Sequence, residues 1–359
     1  MQTILHSLDY RSLHPVFNDL ERFYALTSEK TLHGQSALIT PTFDNAFETL
    51  QSLFNQYGDN EYNFTFQTIE YKKLENIKPN KNTVIVLFSG GKDSTATAVK
   101  YKKYGYNVLL FHVKNINKAY PDEWKRADEI ARYLDLPIQY AEFSSVGKLP
   151  FIEHPMKNMI IANMALAWSI EHNYGINIVA GNYVSGDLND SSFYINGDDM
   201  PEMWQAYDKI VRKAIVGYTT LLGLYDSQET MEILSEDMKL LNLCQSCLGA
   251  HRFRKCNHDN NEKKYDIKLL DNRCGSCWKC CSEYIYLADH DKLEYNEAYY
   301  IHCLDVLKRA DYRENGVKFT DIESLWYGYL FYDIKDSKYK DIQSYGRHKK
   351  KCSQLYYKN

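Results

Sequence analysis

Two stretches of the 359-residue chain carry residue types whose spacing can do chemistry. The first begins with five apolar residues, Val84 to Phe88, four of them β-branched or aromatic. Such a run reads as a buried strand. It continues without a break into Ser89-Gly90-Gly91-Lys92-Asp93-Ser94-Thr95 and then into the helix-forming run Ala96 to Lys103. A strand, a glycine turn and a helix N-terminus in that order make an anion site. The glycines allow close backbone approach, and the N–H groups of the first helical turn point at the ligand. Ser94 and Thr95 add hydroxyl donors and Lys92 a positive charge. The dinucleotide fingerprint is excluded because its third glycine is missing, and a Walker loop because Gly-Lys-Ser/Thr does not follow four spacers.

The second stretch is Cys274-Gly275-Ser276-Cys277-Trp278-Lys279-Cys280-Cys281, with Cys244-Gln245-Ser246-Cys247 and Cys256 upstream. Three cysteines at two-residue gaps close on one tetrahedral metal if a fourth thiolate joins them. Cys244, Cys247 and Cys256 all qualify as that fourth. An iron–sulfur centre is the rival, although the ferredoxin continuation to Cys-Pro is missing. Redox-active cysteines are a further alternative, and those need exposure and a lowered pKa.

The elements that must position these residues alternate. After the Val84 strand come a strand at Asn107–Val113, a helix at Pro121–Leu134, a strand at Ile138–Phe143, a helix at Met156–His172 and a strand at Ile176–Ala180. Alternation of this kind predicts an α/β fold, a parallel doubly wound sheet that binds ligands at the carboxyl ends of its strands. Upstream, Phe43, Ala46, Phe47, Leu50, Leu53, Phe54 and Tyr57 share one helical face, with Thr42 as N-cap and Gly58 as stop. Tyr62 to Tyr71 alternates as a strand, and Asn76 to Asn82 reads as a linker. Asn257 to Lys264 reads as a polar, mobile loop, and Ala298 to Ala310 as a packed helix.

Net charge is −4, from 43 Lys and Arg against 47 Asp and Glu, so no basic field points to nucleic acid. The nine clustered cysteines fit metal binding in a reducing cytosol better than a disulfide scaffold. The N-terminus lacks the charged and apolar regions of a secretory signal, and no apolar run approaches the roughly 20 residues of a membrane span. A cytoplasmic protein with no membrane partner is expected. The C-terminal basic run Arg347 to Lys351 reads as a solvated end.

Ser89-Gly90-Gly91-x-Asp93-Ser94 resembles the pyrophosphate loop of the ATP pyrophosphatase (PP-loop, HUP-like) family, whose members adenylate a carbonyl or carboxylate. Further pieces resemble one branch, the 7-cyano-7-deazaguanine synthases: Pro155-Met156-Lys157-Asn158 opening a helix, and a strand ending in Gly181-Asn182. Asp198, Pro201 and Glu202 match the branch's acidic stretch, as do Ser246-Cys247 and Cys274-Gly275-x-Cys277-x-x-Cys280 its metal motif. Lys157 replaces an Arg of the family. Asn196, Gly197, Asp199 and Met200 replace its Tyr, Pro, Cys and Arg, and Gln228 a Lys. The resemblance covers roughly residues 83 to 283.

The resemblance implies an ATP-dependent carbon–nitrogen ligase releasing AMP and pyrophosphate. Phe88, Ser89, Gly90, Gly91, Lys92, Asp93, Ser94, Thr95, His112 and Gly181 would bind ATP, His112 being open equally to a structural role. Lys92, Asp93, Lys157 and Asn158 would act on the phosphates or the acyl-adenylate. Asp187, Asp198 and Glu202 would face the substrate, with Asp187 and Asp190 near Mg²⁺. Cys247, Cys274, Cys277 and Cys280 would hold Zn²⁺. The implied partners are ATP, a deazapurine-like carboxylate and an amine donor, with a macromolecular acceptor and a homodimer left open. The expected organisation is an N-terminal extension (1–80), the ATP pyrophosphatase domain (81–243), a zinc segment (244–283) and a helical tail (284–359). Rival readings are a tRNA or nucleotide thiolation enzyme and a non-catalytic zinc-stapled nucleotide-binding subunit. Sulfonucleotide reductase shares the loop, but its terminal Glu-Cys-Gly segment is missing here.

Overall fold

A computed structural model describes residues 14–28, 38–40, 46–57, 64–66, 71–74, 80, 82–114, 123–142, 157–172, 177–179, 201–217, 219–221, 223, 227–245, 247 and 251–309. The chain forms two compact units. One holds everything up to Gly223 apart from Gly90–Ala96 and Val184–Tyr194; the other holds those two stretches and everything from Leu224 onward.

The first unit opens with α1 (Pro15–Ser28), β1 (Leu38–Thr40), α2 (Ala46–Tyr57) and β2 (Phe64–Phe66). Val16, Phe17, Leu20 and Phe23 of α1 are buried, as are Phe47 and Leu50 of α2, and the Phe23 and Phe47 rings lie 5.5 Å apart. Of the apolar face expected around Phe47, Phe47 and Leu50 are buried and Leu53 is half-buried. Thr42 and Gly58, its expected boundaries, lie outside the described residues. The strand expected over Tyr62–Tyr71 is described only at β2, which pairs in parallel with β1.

Then follow β3 (Thr83–Leu87), α3 (Lys92–Lys103), β4 (Asn107–Lys114), α4 (Glu123–Leu134), β5 (Ile138–Glu142), α5 (Lys157–His172), β6 (Asn177–Val179), α6 (Pro201–Ala214) and β7 (Thr219–Leu221). β3 to β7 form one five-stranded sheet in the order β5-β4-β3-β6-β7, with every neighbouring pair parallel. This is the α/β parallel sheet that the alternation predicted. β3 is central and buried along its whole length, as a strand covered on both faces must be. Val84 stands opposite Val108 of β4 on one side and Asn177 of β6 on the other. Strand order reverses across β3, so the chain leaves its carboxyl end at a topological switch point, the usual ligand position in open α/β sheets.

Local chemistry explains the helices. α3 carries Asp93 in its first turn and Lys100, Lys102 and Lys103 in its last, each sign at the dipole end that favours it. Gly105, at φ +82°, then turns the chain into β4. α5 is apolar on nearly every side and buried from Ala162 to Ser169, with Trp168 packed 6.3 Å from Phe111 of β4.

The second unit contains α7 (Ser227–Leu234), α8 (Met238–Leu243), α9 (His251–Tyr265), α10 (Trp278–Asp289) and α11 (Glu297–Arg309). Asp237 caps α8, its Oδ1 accepting from the N–H groups of Lys239 and Leu240 at 3.1 and 3.0 Å. α10 and α11 pack over buried Cys281, Tyr284, Ile285, Tyr299, Cys303 and Leu304. Asn257 to Lys264 is not a mobile loop but the body of α9. Its polarity misleads because its inward contacts are themselves polar. Asn261 Nδ2 donates to the Cys274 carbonyl at 3.0 Å and to Ser276 Oγ at 2.7 Å, and Glu262 Oε1 accepts from the Leu269 N–H at 2.8 Å. Among the described residues, no helix is long and apolar enough to cross a membrane.

Candidate nucleotide loop and metal centre

The β3–β4 ladder extends one residue beyond β3. The Phe88 N–H donates to the Phe111 carbonyl at 2.9 Å, and the Phe88 carbonyl accepts from His112 Nδ1 at 2.8 Å. A carbonyl can only accept, so His112 carries its proton on Nδ1. The ring is buried, and burial lowers its pKa to about 4, with the Phe88 contact opposing and Lys114 assisting. Neutral His112 thus fixes the residue from which the glycine loop departs.

Ser89 is exposed and Gly90 buried. Gly90 has φ +75°, a left-handed conformation that glycine adopts without the Cβ clash other residues meet. The Gly91 carbonyl accepts from the Thr95 N–H at 3.1 Å, from Thr95 Oγ1 at 2.8 Å and from Ser94 Oγ at 3.3 Å. The two hydroxyls expected to face a phosphate are therefore turned onto the loop's own backbone, and Thr95 is fully buried. What the loop offers an anion is its backbone, together with the positive end of the α3 dipole. Asp93 Oδ1 accepts from Thr230 Oγ1 of α7 at 2.9 Å. The Gly90 carbonyl accepts from the Gln245 N–H at 3.3 Å, and Gly91 forms a parallel bridge with Gln245.

The Sγ atoms of Cys247, Cys274, Cys277 and Cys280 all lie within 4.8 Å of one another. Separations of 4.0 Å (Cys247 to Cys277), 3.8 Å (Cys274 to Cys280) and 3.4 Å (Cys277 to Cys280) bracket the roughly 3.8 Å between sulfurs bound at about 2.3 Å to one tetrahedral zinc. The N–H groups of Ser276 and Cys277 point at Cys274 Sγ, at 3.4 and 3.3 Å, where they stabilise a thiolate. The donor set fits zinc. Cys244 stands apart from the cluster, with its Sγ on the Leu240 carbonyl at 3.3 Å and its thiol pushed up to about 11, mainly by burial.

The Cys274–Cys277 turn is held tightly. Gly275 has φ +69°, and a Cβ there would lie 2.7 Å from Leu269 Cδ1 and 2.8 Å from the Tyr299 hydroxyl oxygen. That hydroxyl donates to the Gly275 carbonyl at 2.8 Å.

Loop and cluster share one buried ionic group. Glu283 of α10 accepts from Arg273 Nε at 2.8 Å and Nη2 at 2.7 Å, and its other oxygen lies 3.0 Å from Lys92 Nζ. Arg273 also donates to the carbonyls of Cys244 at 2.6 Å and Leu241 at 3.2 Å. Burial alone would raise the Glu283 carboxyl; Arg273 and Lys92 more than reverse this and hold it at about 2. Lys92, read as a phosphate contact, is here directed at a carboxylate. Sequence reasoning missed Arg273 and Glu283. A lone Glu set directly before the apolar run Tyr284–Ala288 is the signal that it overlooked.

Of the remaining expected site residues, Lys157 and Asn158 open α5, Asn158 being half-buried, and Glu202 is the second residue of α6. Gly181, Asp187, Asp190 and Asp198 lie outside the described residues.

The family profile of "Queuosine biosynthesis protein QueC" matches residues 83–153. The chain is 25% identical over 174 residues to 7-cyano-7-deazaguanine synthase 2 of Sulfurisphaera tokodaii, an alignment covering 40% of this chain and 37% of that protein. It is 39% identical over 61 residues to 7-cyano-7-deazaguanine synthase of Saccharolobus solfataricus, covering 17% and 13% respectively. The chain thus spans little more than a third of the longer-matched relative. The profile match starts at the first residue of β3 and runs through the glycine loop and past β5, so over that stretch the chain is QueC-like.

Proposed function

We propose that the protein uses ATP to adenylate the carboxylate of a deazapurine-like acid, 7-carboxy-7-deazaguanine or a related compound. An amine, ammonia or a larger acceptor, then displaces AMP. The observation that carries this reading is the left-handed Gly90 turn, at φ +75°, which joins the buried central strand to the N-terminus of α3.

Attack of the carboxylate oxygen on the α-phosphorus expels pyrophosphate, so the protein's task is to hold that leaving group and steady its charge. Backbone N–H groups and the α3 dipole are fixed before reaction and need no reorganisation. Mg²⁺, when bound, adds charge neutralisation; Asp93 is the loop carboxylate assigned to it. Lys157 and Asn158 are assigned to the acyl-adenylate, and Asp187, Asp198 and Glu202 to the acid. Holding acid and nucleotide together supplies most of the remaining rate, and no side-chain nucleophile is required. Zn²⁺ is the ion proposed for the cysteine cluster. Four thiolates leave no open position for substrate, so its role is structural. Burial of Cys244, with a thiol near 11, weighs against sulfur transfer through that residue.

The zinc-loaded protein incubated with ATP, Mg²⁺, ammonium and 7-carboxy-7-deazaguanine should release AMP and pyrophosphate in equal amounts, dependent on the acid, and Asp93→Asn should abolish the release. Turnover with a different acid would replace the substrate and retain the chemistry. No AMP with any deazapurine acid would overturn the proposal.

A further inference from the structure

Glu283 is 2% exposed at its side chain and Lys92 13%, so the pair that links them is shielded from water. Glu283 lies three residues beyond Cys280, on the helix that Cys277 begins. Arg273, which grips the same carboxylate, is covalently next to Cys274. The glycine loop is braced a second time by Gln245, two residues before Cys247, whose N–H binds the Gly90 carbonyl. Thus each arm of the brace is anchored beside one or more of the four metal-ligating cysteines. Arg273 already links the Cys274 turn to the carbonyl of Cys244, at 2.6 Å, and a shared ion would add a direct tie from that turn to Cys247, so both braces start from the two pieces that the metal joins.

We infer that Glu283 is a positioning residue that ties occupancy of the four-cysteine site to the shape of the nucleotide loop, so that metal and nucleotide each report on the other's binding. The inference rests on the nucleotide and metal reading above. Lys92 Nζ would otherwise swing freely on its four-carbon stem; held by Glu283, it also touches Met231 Sδ at 3.9 Å and fixes the first residue of α3. Coupling of this kind is reciprocal: if metal tightens nucleotide binding, nucleotide slows metal loss by the matching free energy.

The test uses the full chain loaded with Co²⁺ in place of Zn²⁺, with ATP as the probe. ATP should shift the cobalt–thiolate absorption envelope. With the zinc form, saturating ATP should lower the affinity of a chromophoric chelator for the bound ion by roughly five-fold or more, the low end of ordinary coupling. Glu283→Gln should still bind Co²⁺ and ATP and lose both responses. Leu304→Ala, which loosens the same helical layer without touching the brace, should keep them. The wild-type measurements stand whether or not a variant folds. ATP binding with an unchanged cobalt spectrum and unchanged chelator competition would overturn the coupling alone, as would their survival in Glu283→Gln. No ATP binding at all would remove the functional reading and the coupling with it.

Discussion

Lys92, the first residue of α3, places its ammonium 3.0 Å from Glu283 Oε2, and the same carboxylate receives the guanidinium of Arg273. Two cations share one buried anion. Such a group is held by mutual compensation, because none of its members has water to fall back on. Glu283→Ala strands two positive charges and should cost about 3–5 kcal/mol of unfolding free energy. Urea denaturation of the zinc-loaded protein measures it. A loss below 1 kcal/mol, the range of an exposed pair, would mean that the carboxylate is solvated in solution.

His112 makes a pH-dependent prediction. Its pKa is lowered to about 4 in the folded chain, against 6.5 for the free side chain. The folded state therefore resists a proton that the unfolded state accepts. Its contribution is whole above about pH 6.5 and is lost as pH falls toward 4, by about 3 kcal/mol in all. Asn at this position keeps an amide donor for the Phe88 carbonyl and cannot titrate. Stability curves of His112→Asn and wild type should diverge in slope between pH 6.5 and 4, and the acid sensitivity of the thiolates, common to both, cancels in the difference. Parallel curves would show that the ring is already exposed.

The parts of this site legible in sequence are those whose cause is local. An apolar run, two glycines and a helix-forming tail specify β3, the Gly90 turn and α3 within twenty residues. Cysteines two residues apart specify a metal turn because the spacing itself brings the sulfurs together. What was illegible depends on partners distant in sequence. α9 looks like a loop until Asn261 is seen bonded to Cys274 and Ser276, which satisfies the polarity that argued against a packed helix. Glu283 looks like an odd charge in an apolar helix until Arg273 and Lys92 arrive from two separate segments. Ser94 and Thr95, read as loop residues, lie in the first turn of α3, and no spacing rule says whether a hydroxyl there faces a ligand or the Gly91 carbonyl.

Gly275 should not tolerate a side chain. Its φ of +69° penalises any L-residue by about 1–2 kcal/mol. A methyl group there also meets Leu269, Tyr299 and Asn261 at 2.7, 2.8 and 3.0 Å, and overpacking of that kind adds about 1–3 kcal/mol. Gly275→Ala should therefore destabilise the metal-loaded protein by about 2–5 kcal/mol and speed zinc release. Tyr299→Phe, which only removes the hydrogen bond to the Gly275 carbonyl, should cost about 1 kcal/mol. The ranking of the two variants in a urea titration tests whether the turn is held by shape or by that one bond. A smaller effect from Gly275→Ala than from Tyr299→Phe would reverse the assignment.

The metal itself is predicted from sulfur spacing. Four Sγ atoms within 4.8 Å of one another surround a volume that suits one ion, and an iron–sulfur cluster must fit its own sulfides inside the same ring of thiolates. Protein purified from cells should be colourless and carry one zinc per chain by mass spectrometry under native conditions. Cys277→Ser should lose it, because Cys277 lies close to both Cys247 and Cys280 and its removal opens the tetrahedron. Cys303→Ala, a buried cysteine in the α10–α11 layer and outside the cluster, should keep the metal at full stoichiometry while losing only packing free energy. Removal of the ion from wild type by a strong chelator should lower the unfolding transition sharply, since a closed thiolate site supplies folding energy directly. A brown protein with visible charge-transfer bands, or zinc retained by Cys277→Ser, would assign the cluster differently.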